Sequence, residues 1–133
     1  MTGLVIVVHA PLGVAMREFA EHVLGAAVGS QMAVHDIQPD DMPDDRVPAV
    51  LQDIRAADTG GGVLVLTDLI GATPANIAKR AVEEAQALGT QCCVVAGLNT
   101  SMLLRALTSR EASLAETREK ALAGGVQGCL RVD

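Results

Sequence analysis

Apolar residues along the chain fall into short unbroken runs that alternate with longer amphipathic stretches. The first run, Leu4-Val5-Ile6-Val7-Val8, contains no polar residue and is mostly β-branched. It reads as a strand buried on both faces, as in a parallel sheet. It stops on His9. Ala10-Pro11-Leu12-Gly13 cannot extend it, because proline lacks the ladder donor and glycine favours a turn. A helix is expected next: Met16, Phe19, Ala20, Val23, Leu24 and Ala27 recur at three- and four-residue steps, and Gly29 can close it. Residues 31–37 form a shorter, more mixed strand expected at a sheet edge. After the acidic loop 39–45, Val47, Val50, Leu51 and Ile54 share a helical face that ends near Thr59. Residues 63–67 are a third buried strand ending on Asp68. Thr73 is expected to cap the following helix, with Pro74 in its first position and Ile77, Ala78, Ala81, Val82, Ala85 and Leu88 on one side. Residues 92–96 are a fourth strand, followed by a short helix around 102–107. Ser113-Leu114-Ala115-Glu116 has capping-box form and opens a last helix, expected to stop at Gly124-Gly125. Residues 126–132 are a possible short final strand.

Strand and helix alternate throughout, without repeats or linkers. The expected fold is a single doubly wound α/β domain over residues 1–133, with a mainly parallel four-stranded sheet and helices on both faces. The 133 residues suffice for one core, and with 50% apolar residues and one aromatic, Phe19, that core is aliphatic. A net charge of −6 with no basic cluster argues against nucleic acid and anionic membrane as partners. No apolar run is long enough for a membrane span, and the N-terminus lacks the basic flank of a secretion signal. The three cysteines have no metal-ligand spacing. They read as small buried hydrophobes in a reducing cytoplasm.

Parallel strands all point one way, so the ends of strands one, three and four meet at the edge where open α/β folds bind ligands. That edge should collect His9, Asp68, Gly71, Thr73, Asn76 and Asn99. An aspartate bonded to one imidazole nitrogen fixes the tautomer and leaves the other nitrogen with a free lone pair. Such a ring can be a base, a metal ligand or a nucleophile. No metal is expected, since His22 and His35 fall elsewhere. A hydrolytic nucleophile is lacking, because helix capping accounts for Thr73. The remaining role is phosphoryl acceptance on His9. The expected anion donors are the uncapped start of helix one at Gly13, the helix after Thr73, and backbone amides near Gly71. Gly60-Gly61-Gly62 precedes a strand and lies at the wrong edge for a phosphate loop.

With His9, the segment Asp68-Leu69-Ile70-Gly71-Ala72-Thr73-Pro74-Ala75-Asn76, and Gly97-Leu98-Asn99 followed by Met102-Leu103, the chain resembles the enzyme IIA component of the mannose family of the bacterial phosphoenolpyruvate:sugar phosphotransferase system (PTS). The resemblance covers nearly the whole length. It implies a cytoplasmic, homodimeric phosphotransferase without cofactor that takes a phosphoryl group from the carrier HPr on His9. Asp68 would orient the imidazole and Thr73 would place a hydroxyl beside the phosphate. The C-terminal strand could cross to a second subunit. Two positions depart from the family pattern: Ala10 stands where glycine is common after the histidine, and Ser101 where proline often precedes Met-Leu. With one domain expected, the next acceptor would be a separate IIB protein in sugar uptake. Alternatives are a non-transporting regulator and the phosphotransfer subunit of dihydroxyacetone kinase.

Overall fold

The computed structural model describes residues 1–133. Four parallel strands, β1 (Gly3–His9), β2 (Ala33–Ile37), β3 (Val63–Thr67) and β4 (Cys92–Val95), lie in the order β2-β1-β3-β4. The central strands β1 and β3 are the two with uninterrupted apolar runs, and every residue from Gly3 to Val8 and from Val63 to Thr67 is buried. The more mixed β2 is at an edge, as its composition predicts.

Alternate side chains of the sheet feed two cores. Leu4, Ile6, Val8, Leu64 and Leu66 pack under α1 (Leu12–Leu24), α4 (Thr100–Thr108) and α5 (Leu114–Gln127). Val5, Val7, Val63 and Val65 pack under α2 (Pro43–Ala57) and α3 (Thr73–Ala87). His9 is in phase with Val5 and Val7, so it emerges on the α2/α3 face.

Several boundaries differ from those the sequence predicts. Helix α1 ends at Leu24 with Gly25 at φ 104°, not at Gly29, and a 3₁₀ turn covers Ala26–Gln31. Val23 and Leu24, expected to face the core, are exposed. Helix α3 starts one residue early: Ala72 is the N-cap, Thr73 is already helical, and no side chain caps the helix. Gly124 and Gly125 do not stop α5, which runs on to Gln127. Both are buried against α4. A Cβ on Gly124 would stand 2.7 Å from Arg105 Cβ, and one on Gly125 2.9 Å from Met102 Cε. These glycines are present because two helix backbones approach closely. The expected final strand is absent: the sheet has four strands, and residues 128–133 are exposed and outside regular structure.

Candidate phosphoacceptor site

β1 and β3 are neighbours, so the loops leaving them meet at the carboxyl edge of the sheet. There His9 Nδ1 is 2.8 Å from Asp68 Oδ2, and the same oxygen accepts the His9 backbone amide at 3.1 Å. A carboxylate is acceptor-only when ionised, so Nδ1 carries the proton and Nε2 carries the lone pair. Nε2 makes no hydrogen bond, and the His9 side chain is 44% exposed against 14% for Asp68. Burial pushes the Asp68 carboxyl up, but hydrogen bonds from the His9 amide and ring and from the Leu69 backbone outweigh it, so its pKa lies below the ordinary value. The aspartate is therefore ionised at neutral pH.

Asp68 is steadied from behind. The Gly97 amide donates to the Asp68 carbonyl at 2.6 Å and the Leu98 amide to the Thr67 carbonyl at 3.0 Å. The Gly97-Leu98-Asn99 segment thus secures the strand end that carries the orienting carboxylate. Both ends of the Asn99 amide are engaged: its Oδ1 caps α4 by accepting the Met102 amide at 2.9 Å, and its Nδ2 donates to the Gly125 carbonyl at 3.1 Å. It is a cap rather than a residue of the rim.

A small hollow of about 170 Å³ opens beside His9, lined by Ala10, Ile37, Gln38, Pro39, Thr73 and Pro74. Thr73 is exposed there, and its hydroxyl is not spent on capping. The first turn of α3 adds orphan amide donors and the positive end of the helix dipole. Gly71, at φ 83°, and Asn76 line a different hollow together with Thr67 and Lys79. The structure joins His9, Asp68 and Thr73 and sets Gly71 and Asn76 to one side.

The expected free amides at the start of α1 are not free. Asp36, from β2, accepts the Gly13 amide at 2.6 Å and the Val14 amide at 3.0 Å. It serves as the missing N-cap, supplied from another element. Gly13 is needed for packing: a Cβ there would collide with Val34 Cγ1 and lie 2.7 Å from Asp36 Oδ1. Asp36 is in phase with Val34, on the α1 face, whereas His9 is on the other. No local sequence signal marks it, because cap and capped residue are 23 positions apart. The pocket residues Ile37, Gln38 and Pro39 were equally silent, being marked only as a strand end and a loop.

No cluster of His, Cys, Asp and Glu is arranged to hold a metal ion. His22 is exposed on α1, and His35 is buried on β2 with Nε2 2.7 Å from Asp53 Oδ2.

The family model described as "PTS system fructose IIA component" matches residues 3–122. The chain belongs to that family. Membership makes it a phosphotransfer component of the PTS. The fold agrees with solved structures. The PTS component EIIA from Streptococcus agalactiae superposes with TM-score 0.85 at 23% identity, covering 98% of this chain and 97% of that one. The mannose/sorbose-specific IIA subunit from Enterococcus faecalis gives 0.84 at 23%, covering 99% and 95%. A sigma-54 interaction domain protein from Enterococcus faecalis gives 0.76 at 15%, covering 96% and 92%. No protein of curated function matches by sequence. No helix of this IIA protein is long and apolar enough to cross a membrane.

Proposed function

We propose that this IIA protein accepts a phosphoryl group from phospho-HPr on Nε2 of His9 and passes it to a separate IIB protein in sugar uptake. The observation that carries this reading is the 2.8 Å pairing of His9 Nδ1 with Asp68, which leaves Nε2 unpartnered beside Thr73 and the start of α3. In the transfer the P–N bond of the donor phosphohistidine breaks, and the donor imidazole keeps its electron pair. The Nε2 lone pair of His9 forms the new P–N bond. Because Nδ1 keeps its proton, the phosphorylated ring is cationic, and the Asp68 carboxylate faces that charge. The Thr73 hydroxyl and the α3 amides can donate to the phosphoryl oxygens. Onward transfer reverses these steps with the acceptor in the donor's place. A cytoplasmic location and a homodimer belong to the same reading. Exposed Leu130 and Val132 in the tail outside the sheet are available to a second subunit.

The test is mass spectrometry after incubation with phosphoenolpyruvate, enzyme I and HPr. One added phosphoryl group, lost in His9→Ala, is the expected result. A label that persists in His9→Ala would overturn the assignment. A second reading, regulation of a partner protein by phosphorylation state, is favoured by the shared fold of the sigma-54 interaction domain protein. It keeps the same chemistry at His9 and is separated by whether a phosphorylated sample labels a IIB protein.

A further inference from the structure

Arg46, in the first turn of α2, has its guanidinium between two groups on different elements. Nη2 is 3.5 Å from Nδ1 of His35, and Nε is 3.9 Å from Oδ2 of Asp41. Nε is buried and has no hydrogen-bond partner, so the side chain is held by charge and packing rather than by an ideal hydrogen bond. His35 is 7% exposed and its Nε2 lies 2.7 Å from Asp53. With the proton on Nε2, Nδ1 turns its lone pair towards Arg46. On the other side, Asp41 Oδ2 accepts the Gln38 amide at 2.7 Å, and the Asp41 amide donates to the Gln38 carbonyl at 3.1 Å. Gln38 and Pro39 are the wall of the hollow facing His9, next to Ile37, which is the register partner of His9. A line of contacts therefore runs from a buried imidazole, through Arg46 and Asp41, to the phosphoacceptor pocket.

We propose that Arg46 is a positioning residue for phosphoryl transfer at His9, holding Asp41 and with it the Gln38–Pro39 wall against the pocket. This rests on the phosphoacceptor reading of His9. Arg46 touches neither the ring nor the transferred group and acts through Asp41. The charged groups facing His35 are Asp53 and Arg46 from α2, and on β1 its register partner is Val7. Burial, with a smaller contribution from the Arg46 charge, lowers the pKa of His35 despite the bond to Asp53, so the ring is neutral when the contact is made. Protonating His35 sets two cations face to face and drives Arg46 from its place.

The experiment measures the rate of His9 phosphorylation by phospho-HPr for the unaltered protein, Arg46→Gln, Arg46→Lys and His35→Gln across about pH 6 to 8, the range that brackets ordinary histidine titration. Arg46→Gln should lower kcat by roughly tenfold or more, with KM for phospho-HPr little changed, as displaced positioning groups do. Arg46→Lys, which keeps a cation beside Asp41, should recover most of the rate. The His35→Gln to wild-type rate ratio should climb as pH falls, because only the imidazole of His35 acquires the repelling charge. Amide exchange at Gln38 should quicken in Arg46→Gln. A wild-type rate in Arg46→Gln, or a rate ratio independent of pH, would overturn the inference while leaving His9 as acceptor. An unaltered protein that takes no label from phospho-HPr would instead remove the reading beneath it.

Discussion

At His9 one carboxylate oxygen receives both the ring N–H and the backbone N–H of the same residue. That double contact fixes the ring torsion as well as the tautomer, so the bare nitrogen has one direction in which to meet a phosphoryl group. The roles of shape and charge can be separated. Asp68→Asn keeps an oxygen that can accept from Nδ1–H but has no charge to set against the cationic phospho-imidazole. Transfer to His9 should slow by roughly 10- to 100-fold, the usual cost of losing an orienting partner. Asp68→Ala should slow it further and leave the circular dichroism spectrum unchanged, because the site is at the rim rather than in either core. Equal rates for Asn and the native aspartate, read by phosphate mass shift over time, would show that the charge does not matter. His9 and Asp68 were both legible in the sequence for one reason. His9 is the last residue of β1 and Asp68 the first after β3, so each stands at the rim where a buried parallel strand ends. Asp36 was not, since a carboxylate inside a mixed edge strand gives no sign that it caps a helix 23 residues earlier.

At the scale of elements, glycine has two opposite meanings, and the chain uses both. Gly25 ends α1 at φ 104° and ψ 155°, a positive-φ extended backbone that favours glycine. Gly124 and Gly125 face α4 where α5 packs closely across it. Spacing alone reads Gly124-Gly125 as a stop, because close approach is a property of the partner helix and not of the local sequence. The contacts predict a contrast between the pair. The nearest atom to a Cβ on Gly124 is Arg105 Cβ, which moves only with the α4 backbone, whereas on Gly125 it is Met102 Cε, the free end of a flexible side chain. Gly→Ala gains about 1 kcal/mol of helix propensity, and overpacking costs about 1–3 kcal/mol where the neighbour cannot yield. Gly124→Ala should therefore be destabilising by about 1 kcal/mol, and Gly125→Ala close to neutral, in urea denaturation. The reverse order would mean that α4 yields more readily than Met102. Gly13→Ala, which puts a Cβ on Val34 and Asp36, should lower the urea midpoint by breaking the α1 cap, a loss of about 1 kcal/mol or more.

The molecule as a whole places its two histidine–aspartate pairs at different depths, and acid should reveal them in sequence. The alternation of strand and helix made the layered fold legible from apolar runs alone, but not that β2 turns a histidine inward. His35 is buried under α2, and its folded pKa is below the unfolded value of 6.5, chiefly through desolvation. Between those two values the unfolded chain binds a proton that the folded chain does not, so the slope of stability with pH is positive there. The contribution of His35 is fully present above pH 6.5 and is lost as pH falls through 6.5 towards the folded pKa. Asp68 behaves likewise at lower pH. Its depressed folded pKa gives stability that is present above 3.8 and lost as pH falls below that value. Urea midpoints should accordingly be level between about pH 7 and 8, decline through a first step below pH 6.5, and decline again below 3.8. His35→Gln cannot charge, so it should abolish the first step and keep the second; Asp68→Asn should weaken the second and keep the first. A first step that survives in His35→Gln would mean that another group carries it, and would detach the His35–Arg46 contact from any part in tuning the pocket with pH.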